Sequence, residues 1–275
     1  MTLTIGTGPF GPQSAGVFNF EIDAPKHILY FEDSPRRVRV ELGGETIADS
    51  IRVKLLHETG LLPVYYFPQD DVRMDLFEAT DHATHCPFKG DATHFTIRTG
   101  DRESENAAWA YPEPIEGAPP LDGYIAFYWD RVDRWLEEDE EILVHPPDPY
   151  HRIDIRDSSR HVRVSINGEL VAETSRPRLL FETGLPTRFY IPEEDVKTEL
   201  LVGSDTTTRC PYKGLASYWS LKTGGGEEED VVWFYPDPLP AAQQIAGYLC
   251  FFNERVDIEV DDETQERPQT PWSRD

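Results

Sequence analysis

The stretch THCPFKGDATHFTIRTG, residues 84–100, occurs a second time as TRCPYKGLASYWSLKTG, residues 208–224. The two stretches lie 124 residues apart. The same offset aligns residues 25–133 with residues 149–257 without a gap and with about 40% identity. A repeat of this length exceeds the 20–50 residues that are typical of a solenoid unit. The sequence therefore predicts two homologous domains in tandem.

The repeat divides the chain into five expected segments. These are an amino-terminal arm at residues 1–24, a first repeat at 25–140, a linker at 141–148, a second repeat at 149–260 and a tail at 261–275. The arm has no counterpart in the second repeat, and the prolines of the linker favour an extended, stiff connection. Each repeat is long enough to bury a modest core without disulfides or metal ions.

Local patterns within each repeat predict β-strands. VRVSINGELVAET, residues 162–174, alternates apolar and polar residues around Asn167-Gly168, which is a strong signal for a type I′ hairpin. No segment has a long helical period, and the acidic residues after Pro68 and Pro192 indicate only short helical turns. The predicted fold class is mainly β: two small antiparallel domains, each shaped as a sandwich, a barrel or a tent-like sheet.

Composition restricts the expected partners and location. The chain has 51 acidic and 26 basic residues and a net charge of −25, so neither nucleic acid nor an anionic membrane is an expected partner. Three cysteines in two domains exclude a disulfide framework. No signal-peptide pattern or long apolar run is present, so we expect a cytoplasmic protein. Because homo-oligomers are commonly twofold, the duplication is consistent with a pseudo-twofold monomer or a homo-oligomer.

Lysine usage singles out one position in each repeat. The chain contains six Lys and twenty Arg, and only Lys89 and Lys213 are lysine in both repeats. Lysine, unlike arginine, readily loses a proton. The functional interpretation is an amine that acts as a point charge, a proton shuttle or a nucleophile. The alternative is a turn residue whose aliphatic stem packs locally.

Cysteine and glutamate complete the candidate catalytic set. Cys86 and Cys210 precede the lysines by three residues, and a neighbouring ammonium lowers the pKa of a thiol. The alternative is a small buried residue before a turn. Glu58 and Glu182 follow probable strands, where a carboxylate either orients the lysine or caps backbone N–H groups. The candidate catalytic residues are Glu58, Cys86, Lys89, Glu182, Cys210 and Lys213.

Further matched residues are candidates for ligand binding. The histidines that correspond between the repeats are either structural or general bases. The matched aromatic residues either fill the core or form the wall of a pocket. These candidates are His27, Trp109, Tyr111, His151, Trp233 and Tyr235. A single retained cysteine in each repeat argues against structural zinc, no metal ligands are assigned, and the sequence indicates no particular cofactor.

Three motifs give the chain a family resemblance. Each repeat contains T-x-C-P-(F/Y)-K-G-x-A, then W-x-Y-P-x-P, then G-Y-x-x-F, and in this order they resemble a tandem pair of DUF427 domains. The resemblance covers residues 25–138 and 149–260 and implies a compact, mainly β domain without an established activity. A nucleotidyltransferase label is sometimes attached to the family. Nucleotidyl transfer normally uses paired carboxylates that hold Mg²⁺ beside a glycine-rich loop, and the repeats share no such pattern.

The sequence leaves the function open between different classes. The leading hypothesis is a small-molecule site in each repeat, built around the CP(F/Y)KG turn, with its chemistry undetermined. The alternative is a non-catalytic, two-lobed binding or interaction scaffold in which the same motif is a structural turn. Nucleotidyl transfer is the third hypothesis. Whether the protein is an enzyme is not determined by these patterns.

Overall fold

The computed structural model describes residues 2–4, 6, 8–11, 14, 16–21, 25–270 and 272–273. Parts of the expected arm at residues 1–24 and of the expected tail at 261–275 lie outside the described residues. Contacts within the chain define two compact units, one with residues 25–148 and one with residues 149–270. None of the described helices is long and apolar enough to cross a membrane.

The first unit contains two antiparallel sheets. Its strands are β1 (Leu29–Asp33), β2 (Val38–Leu42), β3 (Glu45–Ser50), β4 (Lys54–Glu58), β5 (Val64–Pro68), β6 (Phe77–Cys86), β7 (Gly90–Thr99), β8 (Arg102–Ala110), β9 (Tyr124–Phe127), β10 (Arg134–Glu137) and β11 (Glu140–Glu141). The larger sheet has the order β1-β4-β5-β9-β8-β7-β6, and the smaller sheet has the order β11-β10-β2-β3. Short 3-10 helices lie at Gln69–Asp71, Met74–Leu76 and Trp129–Arg131.

The second unit repeats this arrangement. Its strands are β12 (Ile153–Asp157), β13 (Val162–Ile166), β14 (Glu169–Thr174), β15 (Arg178–Glu182), β16 (Arg188–Pro192), β17 (Leu201–Cys210), β18 (Gly214–Thr223), β19 (Gly226–Phe234), β20 (Tyr248–Phe251), β21 (Asp257–Val260) and β22 (Glu263–Thr264). The sheet orders are β12-β15-β16-β20-β19-β18-β17 and β14-β13-β21-β22. The 3-10 helices are Glu193–Asp195, Thr198–Leu200 and Pro240–Ile245, and a further one lies at Thr2–Thr4 near the amino terminus.

The main core of each unit lies between its two sheets. In the first unit, Val38 and Val40 of the smaller sheet belong to the same buried cluster as Leu55, Tyr65 and Phe67 of the larger sheet. Successive side chains of a strand point to opposite faces, so alternate residues of β4 and β5 supply this core. Each unit is therefore a two-layered β structure with a shared apolar interior.

The opposite face of the larger sheet carries a second, smaller cluster. Leu56 and Tyr66 belong to it, although their sequence neighbours Leu55 and Tyr65 face the main core. Tyr111 is buried in this cluster, and Trp109 packs against it. Because Glu58 lies two residues after Leu56 on β4, the same alternation places its side chain on this outer face.

The predicted fold class is confirmed. Both units are mainly β, with antiparallel sheets and short 3-10 helices. The Asn167-Gly168 turn has φ values of 52° and 79°, and Gly43-Gly44 has 60° and 78°, as a type I′ hairpin requires at both central positions. The helical turns expected after Pro68 and Pro192 are the 3-10 helices Gln69–Asp71 and Glu193–Asp195.

A tight turn joins β6 to β7 and contains the CPFKG motif. Cys86 pairs with Gly90, and the Lys89 N–H donates to the Cys86 carbonyl at 3.2 Å. Gly90 has a φ of 106°, which side-chain-bearing residues rarely adopt. A Cβ at Gly90 would lie 3.2 Å from the Glu113 carbonyl oxygen, so this position has neither the backbone freedom nor the space for alanine.

We expect Gly90→Ala to lower the free energy of unfolding by about 3 kcal/mol, because it combines backbone strain with a steric contact. The control is Gly60→Ala, since Gly60 also has a positive φ but no atom lies within 4 Å of its added Cβ. This control is expected to cost about 1 kcal/mol. Urea denaturation measures both values, and equal losses would contradict the steric part of the argument.

Candidate functional site

A buried carboxylate in each repeat bridges a histidine and a lysine. In the second repeat, Glu182 accepts from Lys213 Nζ at 2.6 Å through both oxygens and lies 2.9 Å from His151 Nε2. In the first repeat, Glu58 Oε1 lies 2.9 Å from His27 Nε2, and Glu58 Oε2 accepts from Lys89. We call these groups the His–Glu–Lys triads.

Three structural elements bring each triad together. Glu58 ends β4, and Lys89 belongs to the turn between β6 and β7. The segment containing His27 is held against the end of β4 by Thr59, whose Oγ1 accepts from the Ile28 N–H at 3.0 Å. Thr183 holds Arg152 in the same way at 2.9 Å, so the threonine of each ETG motif fixes the histidine segment.

The aromatic residue of the CP(F/Y)KG motif also has a defined role. Phe88 stacks on His27 with ring centroids 3.7 Å apart, and Tyr212 stacks on His151 at 4.2 Å. The motif therefore supplies the lysine that binds the glutamate and the ring that packs on the histidine. These contacts explain why this position is Phe in the first repeat and Tyr in the second, because both residues present a flat ring.

The triads are largely removed from solvent. Lys89 and Lys213 are each 7% exposed, and Glu58 is 6% exposed. Burial by itself would raise the pKa of Glu182, but the hydrogen bond from His151 and the charge of Lys213 outweigh it and lower this pKa below its ordinary value. Glu182 is therefore an anion at neutral pH, held by its two partners.

A cavity of about 200 Å³ adjoins the triad of the first repeat. Its lining combines aromatic, aliphatic and polar side chains from the outer face of the larger sheet. The aromatic residues are Tyr66, Trp109, Tyr111 and Tyr128, the aliphatic residues are Leu56, Leu61, Leu62 and Val64, and the polar residues are Glu58, Thr84, Lys89 and His94. His27 packs behind Glu58 and is not part of this lining.

The uncharged polar groups of the cavity have hydrogen-bonding capacity. His94 is 1% exposed, its Nε2 lies 2.9 Å from Thr84 Oγ1, and its Nδ1 has no hydrogen-bond partner among the described residues. Burial, together with His82 and Arg131, lowers the pKa of His94, so its ring is neutral at pH 7. Burial raises the pKa of both Tyr66 and Tyr111, which keeps their hydroxyls protonated.

The structure brings together most of the residues selected from the sequence, and the cysteines lie beside them without a hydrogen bond to the lysines among the described residues. His, Glu and Lys converge in both repeats, and Trp109 and Tyr111 line the cavity beside Lys89. Trp233 and Tyr235 belong to the corresponding cluster of the second repeat. Cys86 packs against the outer-face cluster, as Cys210 does in the second repeat. Among the described residues, neither thiol forms a hydrogen bond with its lysine.

Sequence comparison between the repeats missed several residues of the cavity. His94 corresponds to Tyr218 and Val64 to Arg188, so a search for matched residues passes over both. Both residues lie instead at positions where the two otherwise similar repeats differ, and that difference is the sequence signal that could have identified them. Among the described residues, no group of three or more His, Cys, Asp or Glu side chains is placed to hold a metal ion.

The fold and the site define the class of protein: a duplicated two-sheet β domain with one His–Glu–Lys triad in each copy. The chain belongs to the family described as Domain of unknown function (DUF427), whose profile matches residues 30–138 and 154–262. This assignment confirms the resemblance inferred from the motifs. No curated protein matches the chain.

The depressed pKa of Glu182 predicts how Glu182→Gln responds to pH. At neutral pH this variant leaves Lys213 buried without its anion, so we expect a loss of about 3–5 kcal/mol in the free energy of unfolding. The contribution of Glu182 is complete above the unfolded-state pKa of about 4.3 and disappears as the pH falls through the lower folded-state value. The difference between wild type and variant is therefore expected to shrink below about pH 4.3.

Urea denaturation at a series of pH values measures this difference. The control is Glu194→Gln, because Glu194 is exposed and pairs with the exposed Arg176. Its effect is expected to stay within about 1 kcal/mol at every pH. A Glu182→Gln difference that stays constant from neutral pH into the acid range would contradict the assignment of a depressed pKa.

Proposed function

We propose that the first repeat is a small-molecule binding domain whose ligand occupies the cavity beside Lys89 and His94. The cavity itself carries this proposal, because it combines aromatic walls with the neutral ring of His94, whose Nδ1 has no hydrogen-bond partner among the described residues, and with the Glu58–Lys89 ion pair. Pockets that combine aromatic and aliphatic walls with placed polar groups are typical of ligand sites.

The size of the cavity supports a compact ligand. An apolar cavity of about 150 Å³ holds benzene, whereas sites for drug-sized molecules measure about 300–1,000 Å³. At about 200 Å³, the cavity therefore fits a substituted ring better than a nucleoside triphosphate. Nucleotidyl transfer also lacks support from the charged groups, since the lysine that faces the cavity is already paired with Glu58.

The charge of the lining supports an uncharged ligand. Glu58 and Lys89 neutralise each other, His94 is neutral at pH 7, and the tyrosine hydroxyls are protonated. A charged ligand would lose its hydration and find no unpaired charge of opposite sign. An uncharged ring with an amide-like group would pack on Trp109 and Tyr128 and would place its amide beside the polar side chains of the lining, Thr84 and His94.

The same contacts favour binding over catalysis. The Lys89 ammonium is held by Glu58, and Cys86 forms no hydrogen bond with a base among the described residues. An activated nucleophile requires a neighbouring base or a lowered pKa. The site therefore has the groups that orient a ligand, without an arrangement that prepares a nucleophile.

Thermal-shift assays and calorimetry with benzamide, benzoate and benzamidine test the proposal. These three probes have nearly the same shape but are neutral, anionic and cationic. We expect benzamide to raise Tm at millimolar concentration more than either charged probe. A ligand at a hundred times its Kd stabilises a protein by about 2.7 kcal/mol. A response to Mg·ATP alone, or none to benzamide, would contradict the proposal.

Three variants test whether the response belongs to the first repeat. Lys89→Met is expected to abolish the benzamide shift, whereas Lys213→Met, its counterpart in the second repeat, is expected to leave the shift unchanged. His94→Tyr introduces the residue that the second repeat tolerates at this position, Tyr218, and is expected to block the cavity. Loss of the shift in Lys213→Met with retention in Lys89→Met would place the ligand elsewhere.

A further inference from the structure

The two repeats differ at one wall of the cavity. Val64 lines the cavity at the start of β5, opposite Leu56 of β4. In the second repeat, Arg188 starts β16 and lies opposite Leu180 of β15. The register is the same, so the arginine side chain starts from the position that a valine occupies in the first repeat.

The Arg188 side chain is buried over the outer face. It is 5% exposed, and its guanidinium carbon lies 5.4 Å from the ring centroid of Trp233. Trp233 is the counterpart of Trp109, which lines the open cavity of the first repeat. The arginine therefore covers the aromatic surface that is available to a ligand in the first repeat.

The carboxylate of Glu254 binds the Arg188 guanidinium. Arg188 donates from Nη1 and Nη2 to the two carboxylate oxygens of Glu254, each at 2.7 Å. Burial would raise the pKa of Glu254, but its hydrogen bonds from Arg188 and Thr270 lower this pKa below its ordinary value. The counterpart in the first repeat is Asp130, which is exposed. The second repeat therefore has both members of a buried ion pair where the first has Val64 and Asp130.

The carboxyl-terminal segment covers this ion pair. Thr270 Oγ1 donates to Glu254 at 2.6 Å, and the Trp272 ring centroid lies 5.8 Å from the Arg188 guanidinium. The adjacent loop is also less exposed: Leu61 and Leu62 are 52% and 55% exposed, whereas Leu185 and Pro186 are half-buried. The guanidinium thus lies near two indole rings and beside its carboxylate.

We infer that Arg188 is an internal occupant of the second repeat's counterpart of the cavity, in a site that selects a planar guanidinium cation. Two pairs of corresponding residues, Val64 with Arg188 and His94 with Tyr218, then determine which repeat accepts an external ligand. The guanidinium site rests on the second repeat alone. The conclusion that the chain binds one ligand rests also on the proposed function.

Chemical rescue tests the guanidinium site without any ligand of the first repeat. Arg188→Ala removes the atoms that ethylguanidinium supplies. We expect the variant to melt at a lower temperature than wild type and to recover at least half of the loss in millimolar ethylguanidinium. Ethylammonium carries the same charge without the planar fork, so it is expected to act about tenfold more weakly.

Two control variants test whether the rescue requires a cavity at the Arg188 position and the negative charge of Glu254. Val64→Ala truncates the corresponding residue of the first repeat and is expected to show no response to ethylguanidinium. Arg188→Ala/Glu254→Gln removes the carboxylate charge and is expected to lose the rescue. If Arg188→Ala does not fold alone, its refolded yield with ethylguanidinium and with ethylammonium measures the same effect. Absence of rescue, or equal rescue by both cations, would overturn the guanidinium site.

A second experiment tests the number of ligand sites. Arg188→Val/Tyr218→His/Glu254→Asp gives the second repeat the residues of the first at these three positions, and calorimetry with benzamide is expected to change from one site per chain to two. If benzamide fails to bind wild type but rescue succeeds, the proposed function is wrong and the guanidinium site stands. Two benzamide sites in wild type would overturn the inference of a single open site.

Discussion

Each repeat depends on one buried carboxylate at the end of a strand. Glu58 and Glu182 are removed from water, and an ionised carboxylate in such a place must be compensated by partners. The lysine of the CP(F/Y)KG turn and the histidine after the first proline supply that compensation. This requirement links three segments that are far apart in sequence, because each of them contributes a side chain to the same buried cluster of polar groups.

The same carboxylate also explains why the motif is retained in both repeats although their surroundings differ. In the first repeat the triad joins the end of β4 to the turn between β6 and β7, and the second repeat has the same connection. The cavity is a separate feature of the outer face, formed by residues such as Val64 and His94 that the second repeat has replaced. Both repeats therefore keep the contacts of the triad, and they differ in the side chains of the outer face around it.

The sequence predicted the fold well and the candidate site in part. Periodicity and the Asn-Gly turn predicted the antiparallel strands, because side chains alternate and type I′ turns restrict the residues at their centre. Comparison of the repeats selected Glu58, Lys89 and His27 as candidate site residues. The comparison did not select His94, because the second repeat has Tyr218 at the corresponding position and only residues identical in both repeats were selected.

The sequence by itself determined the duplication, the mainly β architecture and the residues common to both repeats, since these follow from repetition and from local backbone preferences. The tertiary structure decided which face of the larger sheet each residue occupies and how the two repeats differ there. Burial against solvent and the pairing of distant charges depend on the packed chain as a whole. For that reason the sequence shows Val64 and Arg188 only as two different residues at corresponding positions. In the folded protein, Val64 lines a cavity, whereas Arg188 is buried in an ion pair.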